Sequence, residues 1–250
     1  NKLNKEEVFS IFKKLIQGND VCAFIFEPLV QGASGMNMYD HKDLSHLIKM
    51  AKDAEVLTIA DEVFTGFGRT GSWFASDLLS EKPNMMCLSK TVTGGFLPLG
   101  LTAVDDLVYE AFYSDEQHHT FLHGHSYTGN PLCCAAANAS LELMQEKSFW
   151  PKISSIQDRV QNNIQSISDH KLVRDARSKG TIGAVEIDSG GKSSYFNNSG
   201  KFIYKKLLDK GVILRPLGNV FPIVTPYCIS NEDIDYIFQS LKEVLDEMIA

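Results

Sequence analysis

Residues 56–90 read VLTIADEVFTGFGRTGSWFASDLLSEKPNMMCLSK, and two short apolar runs within this stretch each lead to a charged residue. The run 56–60 is followed by Asp61, and the run 85–88 leads to Lys90. Continuous apolar runs of this length are typical of strands in a buried parallel sheet. Because open α/β sheets bind ligands outside the carboxyl ends of their strands, the sequence predicts that a carboxylate and an amine face a common crevice.

This pair of groups has a specific chemical use. A lysine amine forms an imine with an aldehyde, and pyridoxal phosphate (PLP) presents an aldehyde on an aromatic ring that acts as an electron sink. A carboxylate that faces the ring nitrogen favours its protonated form. Asp61 is therefore a candidate partner for the ring nitrogen, and Lys90 for the aldehyde carbon. A capping aspartate and a solvent-exposed lysine are the alternative interpretation.

A glycine-rich turn lies between the two runs, with Gly66, Gly68 and Gly71 within six residues. Glycine lets the backbone turn sharply and pass close to a ligand. Arg69, inside this turn, is a candidate anion contact or a surface arginine. Val63, two residues after Asp61, is a candidate to pack on one face of a flat ring, although simple packing is the commoner role of valine.

The sequence before this stretch predicts a helix over 8–16, an apolar strand over 21–26 and an amphipathic helix over 41–54. The strand should be buried on both faces, since its apolar run is continuous. A strand, a helix and a further strand in this order indicate a parallel sheet. Glu27 follows the strand and could orient a cation in the site, or be a solvated residue at a strand end.

The sequence after Lys90 predicts an irregular loop over 91–96, a strand over 98–104 and a short helix over 105–112. Asp105 is a suitable N-cap for that helix, because its side chain can accept a backbone N–H. Gly, Ser and Thr donors then precede a helix over 131–146. A loop of this kind suits a phosphate.

Four of the seven histidines lie within residues 118–125. A metal site is one interpretation of this cluster. Zinc ligands are usually spaced along a helix or paired with cysteines, and no helix is expected to continue through Gly124 and Gly129. The phosphate-binding loop is therefore the favoured interpretation, and no metal is expected.

The C-terminal part predicts a small α+β domain. Its predicted helices cover 149–167, 200–208 and 234–248, and its predicted strands cover 172–176, 181–187, 212–214 and 221–224. The loop 189–194 has no P-loop pattern and is expected to be a flexible connection. Arg215 follows a predicted strand, where it could clamp a substrate carboxylate or form a structural salt bridge.

Composition excludes several classes of protein. A chain of 250 residues with 44% hydrophobic content and a net charge of −7 can form a substantial core but lacks a basic surface for nucleic acid. The five cysteines show no C-x-x-C spacing, which argues against a disulfide framework or a zinc ribbon. No signal peptide or membrane-spanning run is recognisable, so a cytoplasmic location is the default expectation.

Seven motifs resemble one family. They are EPLVQGA (27–33), IADEV (59–63), GFGRTG (66–71), LSK (88–90), TGG (93–95), HGHSYTGNP (123–131) and RPLG (215–218). Together they resemble the fold-type I, class III PLP-dependent aminotransferases. The HGHSYTGNP and RPLG motifs are most similar to the branch of that family that acts in biotin synthesis.

The resemblance implies a fold and a set of roles for the first motifs. It implies a large PLP domain with a mostly parallel sheet over residues 1–147 and a small α+β C-terminal domain over 148–250. Lys90 would carry the cofactor and shuttle the proton. Asp61 would pair with the pyridine nitrogen, and Val63 would pack on the ring.

The resemblance also implies roles for later residues. His125 and Ser126 would reach the phosphate of the neighbouring subunit's cofactor in a homodimer, with Gly124 beside the substrate. Arg215 would hold a substrate carboxylate, and Arg69 would support substrate recognition. The amino group of S-adenosylmethionine would pass through the cofactor to 7-keto-8-aminopelargonate and give 7,8-diaminopelargonate.

Three alternatives remain open at this point. They are another class III ω-aminotransferase, acting on ornithine or 4-aminobutyrate, a non-catalytic PLP-binding module, and a metal-dependent hydrolase that uses the histidines. Family members are considerably longer, so the chain resembles a fragment whose missing part is N-terminal. Pro222 stands where the family has a tyrosine, and Thr225 where it often has a proline.

Overall fold

Residues 4–18, 20–188 and 200–249 are described by the computed structural model. The helices are α1 (Lys5–Ile16), α2 (His41–Asp53), α3 (Asp106–Glu110), α4 (Pro131–Gln145), α5 (Phe149–Ser168), α6 (Gly200–Asp209) and α7 (Asn231–Glu247). The strands are β1 (Ala23–Phe26), β2 (Val30–Gln31), β3 (Asn37–Met38), β4 (Leu57–Asp61), β5 (Met85–Leu88), β6 (Leu101–Val104), β7 (Val173–Lys179), β8 (Ile182–Ile187) and β9 (Val220–Val224). Short 3-10 helices cover Ala75–Leu78, Lys90–Thr93 and Gln117–His119.

The chain divides into two units. Unit one comprises Asn1–Leu29, Tyr39–Phe67 and Ser72–Glu146, and unit two comprises Val30–Met38, Gly68–Gly71 and Lys147–Ala250. Most of the first 147 residues thus lie in unit one, and two short stretches of them and Lys147 lie in unit two.

Unit one is built on a four-stranded sheet with the order β1-β4-β5-β6. Strands β1, β4 and β5 are parallel, and β6 runs antiparallel to β5. The register pairs Ile59 with Met85 and Asp61 with Cys87. The predicted mostly parallel sheet is therefore confirmed, with β4 and β5 as neighbours.

The two faces of this sheet differ in burial. Thr58 and Ala60 of β4 are buried, whereas Leu57, Ile59 and Asp61 are only half-buried. Side chains along a strand alternate between faces, so Asp61 lies on the less covered face. Helix α2 supplies buried apolar residues to unit one, namely Leu44, Ile48 and Ala51.

The prediction that the run 21–26 is buried on both faces is wrong. Ile25 in β1 is 62% exposed, and its register partner is Ile59 on the less covered face of β4. Strand β6 is exposed along its whole length. The apolar pattern requires two covered faces, and the described residues of unit one cover only one of them well.

Unit two contains a three-stranded antiparallel sheet with the order β7-β8-β9. Helix α5 buries an apolar stripe at helical spacing: Ile153, Ile156, Val160, Ile164 and Ile167. These helical residues, except Ile153, form one core cluster with buried residues of β8, β9 and α7. This sheet and its helices confirm the predicted small α+β fold.

Two local predictions are corrected. Residues 212–214 do not form a strand: Val212 donates its N–H to Leu207 O at 2.9 Å, which ties this stretch to the end of α6. Lys90 does not begin an irregular loop but one turn of 3-10 helix, Lys90–Thr93. The predicted loop 189–194 lies outside the described residues.

Among the helices that the structure describes, none combines the length and the apolar character that crossing a lipid bilayer requires.

Candidate active site

Asp61 lies at the carboxyl end of β4, next to Cys87 on the neighbouring strand. Its Oδ1 accepts the backbone N–H of Val63 at 3.1 Å, which orients the carboxylate. Burial raises the pKa of the Cys87 thiol, and the charge of Asp61 raises it further. Asp61 therefore presents an oriented, half-buried carboxylate at the edge of the sheet.

Lys90 follows β5 at the same edge and has an exposed side chain. Its backbone has a φ of +45°, which is uncommon for a residue other than glycine. Neighbouring bonds hold this conformation: Gly95 N–H donates to Lys90 O at 3.3 Å, and Ser140 Oγ of α4 donates to Thr91 O at 3.1 Å. The Nζ of Lys90 lies 5.5 Å from the ring centroid of Phe64, so its amine is near the turn that follows Asp61.

The donor set at this edge fits PLP chemically. The cofactor needs a primary amine for its aldehyde and an acid for its ring nitrogen, and Lys90 and Asp61 are groups of these kinds at the ends of adjacent parallel strands. Two half-buried groups, Val63 and Phe64, line the turn between β4 and the glycines. Their roles toward a cofactor stay predictions, but the groups come from one sheet edge, as expected.

The loop that was predicted to bind phosphate precedes α4 in unit one. His125 N–H donates to Thr128 Oγ1 at 3.0 Å, and His125 Nδ1 accepts the N–H of Tyr127 at 3.1 Å. Because Nδ1 is an acceptor, the neutral ring carries its proton on Nε2, which is then a donor. Gly124, His125 and Ser126 are all exposed.

The histidine cluster divides into two parts. Glu116, His118 and His119 have possible ligand atoms within 4.8 Å of one another, and all three are exposed. This group comes from the 3-10 helix Gln117–His119 and the residue before it. His125 is not part of it, so the phosphate loop and this group are separate features.

Arg69 lies in unit two, where its side chain is already engaged. Its Nη1 donates to Thr225 O at 2.6 Å, and its guanidinium carbon lies 4.4 Å from the ring centroid of Tyr227. Burial lowers the pKa of Arg69 and raises that of Tyr227 to about 12. These contacts give Arg69 a packing role in unit two, and its predicted substrate role stays a prediction.

Arg215 is exposed and follows the irregular stretch 212–214, not a strand as expected. Pro222 lies in β9, opposite Ala184 of β8. Strand β9 is an edge strand, and edge strands tolerate the missing N–H of proline. Thr225, the second departure from the family pattern, supplies the carbonyl that accepts from Arg69.

Sequence reasoning missed two side chains of unit one. Glu62 is fully buried, and Tyr39 donates its hydroxyl proton to the carbonyl oxygen of Glu27. Burial raises the pKa of Tyr39, and the charges of Glu27 and Glu62 add to this effect. The alternation Thr58, Ala60, Glu62 was the signal, since it places Glu62 on the covered face.

Comparison with known proteins identifies the class. The family model for class-III aminotransferases matches residues 1–245, so the chain belongs to that family. Class III aminotransferases are PLP-dependent. Several similar proteins share one name. One of them, the adenosylmethionine-8-amino-7-oxononanoate aminotransferase of Synechococcus elongatus, is 41% identical over 236 residues, which cover 94% of this chain and 55% of the relative.

Solved structures agree with this class. The adenosylmethionine-8-amino-7-oxononanoate aminotransferase of Methanocaldococcus jannaschii superposes with a TM-score of 0.89 at 33% identity, covering 97% of this chain and 57% of that one. The ω-transaminase of Pseudomonas jessenii, solved in complex with PMP, gives 0.87 at 26% identity and covers 97% of this chain and 54% of its own. The chain thus spans about half the length of the relatives it matches.

Proposed function

We propose that this chain belongs to a PLP-dependent aminotransferase that moves the amino group of S-adenosylmethionine to 7-keto-8-aminopelargonate, giving 7,8-diaminopelargonate in biotin synthesis. The observation that carries the proposal is the emergence of Asp61 and Lys90 from adjacent parallel strands at one sheet edge. Relatives that share 32% to 41% of its residues carry the name of this enzyme. We place the protein in the cytoplasm.

The residues of unit one have distinct tasks in this reaction. When bound, the cofactor supplies an aldehyde to capture amino groups and a ring that withdraws electrons. Lys90 would provide the amine that holds the aldehyde. When that amine is free, it would move the proton at the substrate carbon. Asp61 keeps the proton on the ring nitrogen, and Val63 packs on the ring face.

Substrate recognition is assigned to three residues. Arg215 binds a substrate carboxylate, because its planar guanidinium matches two carboxylate oxygens. We assign Gly124 a place beside the substrate and Arg69 a supporting role in substrate recognition. Thr225 and Tyr227 hold the Arg69 side chain within unit two. S-adenosylmethionine is proposed as the donor because the named relatives carry adenosylmethionine in their name.

A homodimer with shared sites is part of the proposal, with His125 and Ser126 binding the phosphate of the neighbouring subunit's cofactor. Two features support it. The Nε2–H of His125 and the hydroxyl of Ser126 are donors on an exposed loop. Large apolar side chains near this loop are also exposed, with Leu122 at 90% and Tyr127 at 75%. Such exposed apolar surface is typical of interaction sites.

Attachment at Lys90 is tested by adding PLP to the protein, reducing it with borohydride and locating the added mass by peptide mass spectrometry. The mass should lie on the Lys90 peptide and be absent in Lys90→Ala. Lys82→Ala is the matched control, since Lys82 is also an exposed lysine of unit one. Equal labelling of Lys90→Ala and the unsubstituted protein would show that Lys90 is not the attachment point.

The donor is tested separately. The cofactor-loaded protein is incubated with S-adenosylmethionine, ornithine or 4-aminobutyrate, and conversion of the bound cofactor to its amino form is followed by absorption. Conversion by S-adenosylmethionine is expected. Conversion only by ornithine or 4-aminobutyrate would assign the chain to a different branch of the family, and PLP binding without any conversion would indicate a non-catalytic module.

A further inference from the structure

Glu62 follows Asp61 directly, but its side chain lies on the opposite, covered face of unit one. It is 0% exposed. Its Oε1 accepts the N–H of Ser76 at 2.7 Å, and its Oε2 accepts the Thr65 hydroxyl at 2.6 Å and the N–H of Ala75 at 3.1 Å. A buried carboxylate is costly unless such donors compensate for the lost water. These three bonds are therefore strong constraints on the position of Glu62.

The bonds of Glu62 tie together three pieces of the chain. Ser76 and Ala75 belong to the 3-10 helix Ala75–Leu78, and Thr65 belongs to the turn after β4. The backbone of Glu62 adds two more bonds: its N–H donates to Cys87 O of β5 at 2.9 Å, and its O accepts from Gly66 N–H at 3.0 Å. The turn over residues 62–66 is thus fixed at both ends and through its buried side chain.

The packing at Gly66 leaves little room for a larger residue. A Cβ added at Gly66 would lie 3.0 Å from Glu62 O and 3.5 Å from Cδ1 of Phe74. The first distance is at the limit of real Cβ contacts, and the second is an ordinary van der Waals contact. The carbonyl of Glu62 therefore lies tightly against position 66.

The same turn carries the groups assigned to the cofactor. Val63 is next to Glu62, and its N–H is the donor that orients the Asp61 carboxylate, at 3.1 Å from Oδ1. Phe64 is the next residue, and its ring centroid lies 5.5 Å from Lys90 Nζ. A displacement of Glu62 would therefore move the Val63 N–H that orients Asp61. It would also move the Phe64 ring that lies near Lys90.

We propose that Glu62 is a positioning residue, whose buried carboxylate fixes the turn that aims Asp61 at the ring nitrogen of the cofactor. This inference rests on the proposed function. The substitution Glu62→Gln is a sharp probe of it, since a carboxylate offers two acceptors and an amide only one. In either orientation, the amide NH2 of the introduced glutamine would face a backbone N–H, from Ser76 or from Ala75.

The test compares Glu62→Gln, Thr65→Val and Asp77→Asn in the PLP-loaded protein. Thr65→Val removes one donor to Glu62 and keeps the side-chain shape, so it carries the test if Glu62→Gln does not fold. Asp77→Asn is the matched control, because Asp77 is an exposed carboxylate of the same 3-10 helix that accepts Phe74 N–H at 2.9 Å. The readouts are the PLP dissociation constant, the visible absorption of the bound cofactor as a function of pH, and the melting temperature.

Glu62→Gln should raise the PLP dissociation constant by roughly 10- to 100-fold, since it leaves a buried backbone N–H unpaired. Thr65→Val should raise it by about 3- to 10-fold, since it removes one of the three donors to the Glu62 carboxylate. The ring nitrogen of the bound cofactor should lose its proton at a lower pH in both variants, because Asp61 holds that proton less well. The absorption change that reports this step should move to lower pH with it. Asp77→Asn should match the unsubstituted protein.

Two results would overturn the proposal, and they are distinguishable. A lower melting temperature with unchanged PLP binding and an unchanged pH profile in Glu62→Gln and Thr65→Val would show that Glu62 serves stability alone. Absence of PLP attachment at Lys90 in the unsubstituted protein would overturn the proposed function and this inference with it.

Discussion

The sheets of the two units differ in how well they are covered. In unit two, Ile182 of β8 and Phe221 and Ile223 of β9 are fully buried. In unit one, β6 is exposed throughout, and Ile25 of β1 is mostly exposed. Unit two thus has a well-packed core, whereas unit one has a sheet face that its described residues leave exposed. The groups of the proposed reaction at Asp61 and Lys90 lie on unit one, the unit with the exposed face.

The difference agrees with the length comparison. The match to the Synechococcus relative covers 94% of this chain but only 55% of the relative. A sheet that is apolar on both faces but covered on one is expected when only part of a domain's chain is present. Substitutions at matched positions in the two units test this difference.

The largest effect is expected for Gly180→Ala in unit two. Gly180 has a φ of +57°, and an added Cβ would overlap the backbone of Arg69 and Thr70. The free energy of unfolding should fall by roughly 4 kcal/mol or more, since backbone atoms cannot move aside cheaply. Urea denaturation measures this loss.

Gly95→Ala in unit one is the control for backbone conformation alone. Gly95 has a φ of +80°, and no described atom lies within 4 Å of an added Cβ. The cost should be only about 1–2 kcal/mol, the penalty of the left-handed region. Equal costs at the two glycines would show that the close approach at Gly180 contributes nothing.

The next largest effect separates the two sheets directly. Ile223→Ala in β9 removes a fully buried side chain and should cost about 2–5 kcal/mol. Ile25→Ala in β1 makes the same change at a 62% exposed position and should cost less than about 1 kcal/mol. Both values come from denaturant unfolding of the 250-residue chain. A similar cost at Ile25 would mean that the open face of unit one is covered in solution.

The sequence predicted the elements of both units because local patterns determine them. The apolar runs before Asp61 and Lys90 identified β4 and β5, and the Asp105 side chain caps α3 by accepting Val108 N–H at 3.1 Å. The strand predicted over 212–214 is absent, although Val212 and Leu214 are buried and Ile213 is exposed, as in a strand. An alternating pattern shows which side chains are buried, not whether the backbone has a ladder partner.

The candidate site was predictable in part for a similar reason. Asp61 and Lys90 follow apolar runs, which places them at strand ends without knowledge of tertiary contacts. The partners of Arg69 could not be predicted, because Thr225 and Tyr227 lie far away in sequence. Burial of Ile25 was overestimated, since a continuous apolar run indicates what a strand needs and not what the chain supplies.

Tyrosine titration contrasts a buried position in unit two with an exposed position in unit one. Burial raises the pKa of Tyr227 in unit two from 10.0 to about 12. The ultraviolet absorption of phenolate should therefore lose a late step, above the ordinary tyrosine value of about 10, in Tyr227→Phe. Tyr127→Phe, at a 75% exposed position in unit one, is the matched control and should keep that late step. Loss of an early step in Tyr227→Phe would show that Tyr227 is accessible to water.

The sign of the stability effect follows from that shift. The folded state keeps the Tyr227 proton to a higher pH than the unfolded state, so the stabilisation is fully present below about pH 10. It is lost as the pH rises toward the folded pKa of about 12. The loss of stability over this range should be smaller in Tyr227→Phe.

The smallest expected effect concerns ion pairs on the two units. Arg159 donates to Asp235 between α5 and α7 of unit two, and Asn163 Nδ2 donates to Asp235 at 2.8 Å. In unit one, Lys49 and Asp53 form a pair within α2 at 3.1 Å. Because Asp235 has two partners on another helix, Asp235→Asn should lower the free energy of unfolding more than Asp53→Asn does.

The pH dependence distinguishes these two pairs. The Arg159 hydrogen bond lowers the pKa of Asp235 below its ordinary value of 3.8. Its stabilisation is therefore present above that value and is lost as the pH falls through the lower, folded pKa. Unfolding measured between about pH 5 and pH 2 should show a steeper loss in the unsubstituted chain than in Asp235→Asn. Parallel curves would mean that water screens the Arg159–Asp235 pair as fully as it screens the exposed Lys49–Asp53 pair on α2. The close packing of unit two would then not extend to its charged surface.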